Sequence, residues 1–196
     1  MTRTVLRCFS SSLVVAMAAL ASACSNEAPV APAGAATRGV AVLADVSDGN
    51  RLPDLTACPA LAAPVGSTLV LHAFGIGFQV YHWNGTSWGA PTPAATIYAD
   101  AGGHGQVATH FAGPSWQSNS GSKVVGTVLN RCTVDPASIQ WLSLSAVPTG
   151  NGIFAKVTFI QRLNTAGGIA PATDGTTIGQ EARVPYTADY LFYDVQ

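Results

Sequence analysis

Apolar and polar residues alternate along this chain in short runs, and turn residues separate one run from the next. Residues 78–83 (FQVYHW) and residues 184–193 (VPYTADYLFY) show the pattern, with Val, Tyr, Phe and Trp in alternating positions. Such runs predict β-strands, because successive side chains of a strand point to opposite faces. The predicted strands cover residues 67–74, 78–83, 96–100, 106–111, 123–129, 139–147, 154–163 and 184–193.

This arrangement predicts an all-β fold. We expect a single antiparallel β-sandwich or barrel-like domain of about eight or nine short strands. Residues 39–44 form either a further strand or the end of a tether. A return strand is expected to begin at residues 87–88 and to end at Pro91 and Pro93. No amphipathic helix of useful length is visible beyond the N-terminal region.

Glycine-containing turns mark where the predicted strands end. Asn84-Gly85 is a strong hairpin signal, because both residues tolerate positive φ. Residues 75–77 (GIG) are expected to break the strand that precedes them. We expect residues 109–126 to form the hairpin on which the domain is built, and residues 164–180 to form a long loop.

The N-terminal region has the pattern of an export signal. Arg3 and Arg7 give a positive start, residues 13–20 form an apolar run, and residues 21–23 (ASA) form a small-residue cleavage site before Cys24. The apolar run is shorter than the ~20 residues that a transmembrane helix needs. We therefore expect residues 1–23 to be a signal peptide.

Cys24 follows small residues, as the lipidated cysteine of a bacterial lipoprotein does. The match to a lipobox is imperfect, because Leu20 stands one position further from the cysteine than usual. Lipidation of Cys24 would anchor the protein to the membrane; the alternative is a secreted or periplasmic protein with an incidental thiol. Residues 24–38 are rich in Ala and Pro and predict an extended tether before the domain at residues 39–196.

Composition narrows the possible partners. Charged residues make up 10% of the chain, against about 25% in a typical protein. Loss of Arg3 and Arg7 with the signal peptide leaves 7 basic against 10 acidic side chains, a net charge of -3. Nucleic-acid binding requires clustered Lys and Arg, so we expect no nucleic-acid partner.

The number of cysteines left after cleavage is consistent with export. Cleavage would leave Cys24, Cys58 and Cys132. If Cys24 carries lipid, Cys58 and Cys132 remain as a pair, and an oxidising compartment favours a disulfide between them. Two buried free thiols are the alternative. A metal pair is disfavoured, because neither cysteine belongs to a CxxC motif or has a nearby His, and no cofactor is indicated.

Several stretches together resemble one family. The more specific are residues 161–168 (QRLNTAGG) and 185–190 (PYTADY), and residues 110–116 (HFAGPSW) and 121–126 (GSKVVG) support them. Their order and spacing resemble the DUF3455 family, a domain of unknown function in bacterial and fungal secreted proteins. The resemblance extends over roughly residues 69–193 and implies an exported β-rich domain.

Beyond an exported β-rich domain, the resemblance implies little about function. Some fungal relatives have a dehydrogenase-like name, but this chain lacks the strand–GxGxxG–helix unit of a dinucleotide site. It also departs from many members, which have Tyr-x-Cys where this chain has residues 81–83 (YHW). Their partner cysteine lies in the loop that corresponds to residues 171–175, and here the Cys58–Cys132 pair would replace that bridge.

Histidines and serines offer weak catalytic candidates. The spacing of His72, His82, His104 and His110 does not fit a zinc site. His110 is the His most suited to a structural or site role. A hydrolase-type enzyme would use His110 with Ser115 and a carboxylate, and Asp189 and Glu181 are the available acids.

Convergence of these groups in one cleft would favour the enzyme, whereas a buried His110 bonded to backbone would exclude it. Ser115 does not lie in a G-x-S-x-G elbow. Asp189 is otherwise expected to pair with Arg162 or Arg183, or to cap a turn.

Aromatic residues give the better functional indication. Tyr81, Trp83, Trp88, His110 and Trp116 are the candidate ligand site, for a carbohydrate or a small apolar molecule. Alternatively, Trp83 and Trp88 form a cross-strand pair that stabilises the hairpin, worth about 0.5–1.5 kcal/mol. We expect an exported cell-envelope protein that acts as a non-catalytic binding or structural module; the alternative is the secreted hydrolase.

Overall fold

A computed structural model describes residues 53–196. The predicted signal peptide, Cys24, the tether and the possible strand at residues 39–44 lie outside these residues. Among residues 53–196, no helix has the length and apolar character needed to cross a membrane.

Eight antiparallel strands close into a barrel, each paired with the next and β8 paired with β1. The strands are β1 Thr68–His82, β2 Thr92–Tyr98, β3 Gln106–Phe111, β4 Ser115–Ser118, β5 Lys123–Cys132, β6 Trp141–Thr149, β7 Phe159–Gly167 and β8 Glu181–Asp194. A short 3-10 turn, Pro59–Leu61, precedes them. The all-β prediction is confirmed, and the structure selects the barrel over the sandwich.

β1 is one continuous strand, and the predicted break at residues 75–77 was wrong. The two glycines of this segment are present because larger side chains would not fit. A Cβ on Gly75 would lie 2.5 Å from a ring carbon of Tyr190. At Gly77 a Cβ would lie 2.5 Å from the Cα of Ala95 on β2. Both glycines therefore permit close packing within the barrel and do not end the strand.

Two further strand boundaries differ from those expected. β2 begins at Thr92 and includes Pro93, which pairs with β1. The pairing of β2 with β3 starts only at Ala95, so the missing N–H of Pro93 interrupts no ladder bond on that side. The predicted return strand at Trp88 is a single bridge to Trp83.

β7 extends to Gly167, into the segment expected to be a loop. The pairing register of β7 with β8 shifts between Leu163 and Ala166. Asn164 lies at this irregularity with a positive φ of 49°. Such a bulge interrupts the period-2 alternation that sequence patterns depend on. The hairpin at residues 109–126 is confirmed as β3, β4 and the start of β5.

The core has two parts, one on each side of the barrel wall. Alternate residues of the strands point into the lumen, where the side chains of Trp116, Leu144, Ile160 and Phe192 are buried together. A second cluster covers the outside of β7 and β8, where the segment around Leu61 packs on outward-facing residues. The outward-facing residues are Phe159, Leu163, Leu191 and Tyr193.

A disulfide and a buried polar network fasten the segment before β1 to the barrel. Cys58 is bonded to Cys132 at the end of β5, as the sequence predicted. Gln161 donates from Nε2 to the carbonyl of Leu61 at 2.7 Å. The hydroxyl of Tyr193 donates to Oε1 of the same glutamine at 2.9 Å. The segment before the barrel is therefore a structural part of its outer wall.

Candidate functional site

His110 lies inside the barrel, stacked on Trp116. The two residues are register partners on β3 and β4, and their rings are parallel to within 6° at a centroid distance of 4.2 Å. The Nδ1–H of His110 donates to the backbone carbonyl of Ser115 at 2.9 Å. Burial lowers the pKa of His110 to about 3, and the charge of Arg162 lowers it further against the opposing effect of the Ser115 carbonyl. The imidazole is therefore neutral at physiological pH.

Two buried donors in the lumen lack a close hydrogen-bond partner among the described residues, although burial raises the pKa of Tyr186 and the Gln79 amide lies near enough to its hydroxyl to oppose that rise. The two donors are Nε2 of Gln79 and Nε1 of Trp116, and both side chains are almost completely buried. Gln79 shares the inward face of β1 with Ala73. Native proteins leave few buried polar groups unsatisfied, and each such group calls for a physical explanation.

Arg162 also points into the lumen. Its register partners are Leu142 on β6 and Tyr190 on β8, and both belong to the inner core. The guanidinium donates from Nε and Nη2 to the backbone carbonyl of Gln140, at 3.2 and 2.8 Å. Within residues 53–196, no carboxylate forms a salt bridge with Arg162. Its charge is thus met by neutral groups, the Gln140 carbonyl and the nearby Tyr190 hydroxyl.

Two tyrosines connect these groups. The hydroxyls of Tyr186 and Tyr190 lie 3.2 Å apart, and the Tyr190 ring packs edge-on against both His110 and Trp116. Burial raises the pKa of Tyr186 and of Tyr190, while nearby Arg162 acts to lower both. Both phenols are therefore neutral. The lumen cluster, as we call it, consists of Gln79, His110, Trp116, Arg162, Tyr186 and Tyr190.

Tyr81 lies beside this cluster, at the end of the barrel where β7 gives way to the loop before β8. Its hydroxyl donates to the carbonyl of Gly168 at 2.6 Å. Burial raises the pKa of Tyr81, and the charge of Arg162 opposes this effect. Gly168 is closely surrounded: a Cβ there would lie 3.0 Å from the Cβ of Tyr186 and 3.2 Å from the Cγ of Gln79. Residues from β1, β7 and β8 therefore meet at this end.

Trp83 and Trp88 pair with each other in the hairpin between β1 and β2. Their rings meet edge to face at a centroid distance of 5.5 Å. The Nε1–H of Trp88 donates to the carbonyl of Thr173 at 2.9 Å. Gly175, in the same loop, lies so close to Trp83 that a Cβ would be 2.4 Å from the indole. The pair thus holds the hairpin to the loop before β8, whereas Trp116 lies within the inner core.

The side chains of the predicted hydrolase site, His110, Ser115 and an acid, do not lie together. Asp189 faces outward from β8, since its neighbours Ala188 and Tyr190 belong to the inner core. There it accepts a hydrogen bond from Asn164 at 2.8 Å and lies 3.6 Å from Nε2 of His72. His110 bonds to the backbone of Ser115 and does not reach its hydroxyl through any hydrogen bond.

The expected pairing of Asp189 with Arg162 or Arg183 was therefore wrong. Arg162 points inward, and Arg183 pairs with Glu181 at 3.4 Å. The geometry required for the hydrolase, with His110, Ser115 and an acid in one cleft, is absent from the part of the chain that the structure describes. In the same part, no three His, Cys, Asp or Glu side chains lie close enough together to hold a metal ion.

Comparison with known families supports the resemblance seen in the sequence. The model of a family described as "Protein of unknown function (DUF3455)" matches residues 14–194, which is nearly the whole chain. The chain belongs to the DUF3455 family. No curated protein and no solved structure gives a significant match.

Sequence reasoning identified only part of the lumen cluster of this DUF3455 protein. It selected His110 and Trp116, but not Gln79, Arg162, Tyr186 or Tyr190. A signal for three of these was present, because Arg162 lies in residues 161–168 and both tyrosines lie in residues 185–190, the stretches that most specifically indicated the family. Without the register of β7 and β8, nothing placed these side chains beside His110.

Proposed function

We propose that this DUF3455 protein is an exported cell-envelope protein that acts as a non-catalytic binding module and holds a small ligand in the barrel lumen. The observation that carries the proposal is the pair of unpartnered donors, Gln79 Nε2 and Trp116 Nε1. A buried donor without a partner costs about 1–3 kcal/mol. A ligand with hydrogen-bond acceptors would relieve that cost, and it would enter by displacing side chains, because Trp116, Tyr190 and Phe192 have almost no exposed surface.

The environment of His110 supports a non-catalytic role. Its Nδ1–H is committed to a backbone carbonyl, and burial keeps the imidazole neutral through its lowered pKa. A general base needs a pKa near the operating pH and a reactive group within reach. His110 fits neither requirement, and Asp189 and Glu181 serve other partners. The hydrolase alternative has no comparable observation in its favour.

Three features support export and an envelope location. The first 23 residues have the charge and hydrophobic pattern of a signal peptide. The Cys58–Cys132 disulfide suits an oxidising compartment. Cys24 then provides a lipid attachment point next to a 15-residue tether, residues 24–38. We propose that the lipid holds the barrel at the membrane surface.

Native mass spectrometry of the mature protein, purified gently from its own host, tests the binding function. We expect a reproducible extra mass on the folded barrel. Trp116→Phe keeps an aromatic ring but removes the unpartnered indole N–H, and it should lower the occupied fraction several-fold. Trp88→Phe is the matched control, because its indole N–H already bonds to Thr173 outside the lumen cluster.

Two outcomes would overturn the proposal. A barrel that carries no extra mass beyond lipid under these conditions would favour a structural or protein-interaction role. Equal loss of the ligand in Trp116→Phe and Trp88→Phe would show that the lumen cluster does not hold it. Persistence of the mass in Trp88→Phe together with its loss in Trp116→Phe would support the proposal.

A further inference from the structure

We infer that the outer face of β1 binds a second copy of this chain, in a dimer whose two-fold axis crosses β1 between Ile76 and Phe78. The dimer goes beyond the proposed binding function and does not depend on a ligand in the lumen. The residues that form the contact face outward from three paired strands, β8, β1 and β2.

β1 exposes apolar side chains on the outside of the barrel. Ile76 and Phe78 point outward, because they alternate with the inward-facing Gln79, and they are 38% and 37% exposed. Their register partners are Thr187 and Pro185 on β8 and Thr96 and Ala94 on β2. These six residues, which we call the β1 strip, carry no charge. Closure of the barrel leaves no strand edge for pairing, so two barrels can associate here only face to face.

Charges of opposite sign lie at the two ends of the β1 strip. Asp189 lies beside Phe74, one outward position beyond the strip at one end. Arg183 lies beside Val80, one outward position beyond it at the other end. The guanidinium carbon of Arg183 is 4.8 Å from the centroid of the Phe78 ring, so its charge is held against the strip. The two charged residues are therefore equally far from the middle of the strip, and about 20 Å apart along β8.

A two-fold axis through the middle of the strip brings these opposite charges together. Rotation about an axis perpendicular to the strands reverses the strand direction, so Ile76 of one copy packs on Phe78 of the other. Arg183 of each copy then faces Asp189 of the other. Such a contact uses the same surface on both copies. Facing charges of opposite sign fix its register.

Arg183 and Asp189 remain available for this contact. Arg183 lies 3.4 Å from Glu181, but the two side chains are 52% and 45% exposed, and exposed pairs of this kind contribute little. Asp189 accepts a hydrogen bond from Asn164 and lies 3.6 Å from Nε2 of His72. In the dimer Glu181 faces the row that holds His72 of the second copy, so an acid again lies opposite a potential cation.

The size of the contact sets its strength. The strip and its charged ends cover roughly 15 by 25 Å, or about 400 Å² on each copy. A standard protein–protein interface buries about 800 Å² on each partner. We therefore expect a weak, reversible dimer with a Kd on the order of 0.1 mM.

Sedimentation equilibrium of the Cys24→Ala protein tests the inference, since loss of the lipid attachment point removes the need for detergent. This protein should show a monomer–dimer equilibrium at concentrations up to several times the expected Kd. Arg183→Asp should weaken the dimer at least about tenfold, because like charges then face each other at both ends. Lys156→Asp is the matched control: it makes the same change of charge at an exposed position between β6 and β7, and the dimer should persist.

A mixture of Arg183→Asp and Asp189→Arg chains tests the two-fold arrangement itself. Each variant alone should be mainly monomeric, because its facing charges have the same sign. The mixture should form a heterodimer, because every facing pair then has opposite signs again. Lys156→Asp mixed with Asp189→Arg has the same net charges and should form little heterodimer, which separates specific pairing from general attraction. Circular dichroism of each variant checks that the barrel is folded.

Amide NMR spectra of the Cys24→Ala protein at increasing concentration locate the contact without a variant in the strip. The shifts should be confined to outward residues of β1, β2 and β8. A monomer at the highest concentration, shifts centred on other strands, an unchanged dimer in Arg183→Asp, or no heterodimer in the mixture would each overturn the inference. A monomer that binds phosphatidylglycerol vesicles and is released by Ile76→Lys would also overturn it, because the strip would then face a membrane.

Discussion

His110 shows how burial determines the chemistry of a single residue. It lies between a parallel indole and an edge-on phenol ring, and it keeps one N–H for the Ser115 carbonyl. In water the same imidazole would titrate near neutral pH and could act as a base. Inside the barrel its pKa falls to about 3 because burial penalises the charged form. The residue therefore acts here as a neutral ring that stacks on Trp116 and donates a hydrogen bond to the backbone.

The lowered pKa of His110 has a consequence for stability. In the unfolded chain a histidine takes up its proton near pH 6.5, whereas folded His110 does so only near pH 3. Between these values the unfolded state binds the extra proton, so the free energy of unfolding falls as pH is lowered through this window. The slope approaches about 1.4 kcal/mol per pH unit.

Urea unfolding at two pH values tests this. Wild-type protein should lose roughly 2–3 kcal/mol between about pH 7 and pH 4.5, and His110→Gln should lose much less. Asp54, Asp100 and Asp135 have pKa values below the ordinary 3.8, because hydrogen bonds stabilise their charged forms, so they stay ionised in this range. Equal losses in both proteins, or an imidazolium signal for His110 in nitrogen NMR at pH 5, would contradict the prediction.

β1 lies between the strands that contribute to the lumen cluster from either side, β8 with Tyr186 and β2 next to His110 of β3. It pairs with β8 from Thr68 to His82 and with β2 from Phe74 to Val80. Gly77 stands between its register partners Tyr186 and Ala95, and Ala95 is itself the register partner of His110. Small residues on β1 and β2 thus leave room for the rings contributed by β3 and β8.

Gly75→Ala should destabilise the barrel because its new Cβ would enter the space of the Tyr190 ring. Overpacking of this kind costs about 1–3 kcal/mol. Gly89→Ala is the matched control: its Cβ would meet only the carbonyl of His82, at an ordinary 3.4 Å. Both changes reduce the freedom of the unfolded chain in the same way. Equal thermal stability of the two variants would show that Tyr190 is not packed against β1.

Residues 53–196 form a closed sheet, and the segment before β1 packs on its outer wall. Closure leaves no unpaired strand edge through which sheets could associate. The disulfide joins Cys58 to Cys132 across 74 positions of sequence, a loop for which the chain-entropy model gives about 4 kcal/mol of stabilisation. A barrel held in this way suits the extracytoplasmic location that the N-terminal residues predict.

Lipidation of Cys24 can be tested on the whole protein. Cells grown with a clickable fatty acid should label the wild-type chain and retain it in the membrane fraction. Cys24→Ala should abolish the label and release the barrel, because the anchor is lost. Cys8→Ala serves as the control, since Cys8 lies within the predicted signal peptide. An unlabelled wild-type protein would mean that the chain is secreted without an anchor.

Features carried by neighbouring residues could be predicted from the sequence. Alternation predicted strands, Asn84-Gly85 predicted a turn, and the cysteine count predicted the bond between Cys58 and Cys132. Family membership followed from ordered short stretches. Each of these signals is local or is a matter of counting, and the structure changed mainly the boundaries of the elements.

The tertiary structure decided which distant side chains lie next to one another. Sequence alone could not show that Gly75 continues β1, because the reason is a ring contributed by β8. It could not place Arg162 and Gln79 beside His110, because the facing of a side chain depends on register, and a bulge of the kind seen at Asn164 changes that facing. It also left Asp189 as a candidate acid, although pairing with β1 and β7 turns it outward. The sequence by itself thus determined the class of fold and predicts export, and closure of the barrel decided which side chains share the lumen.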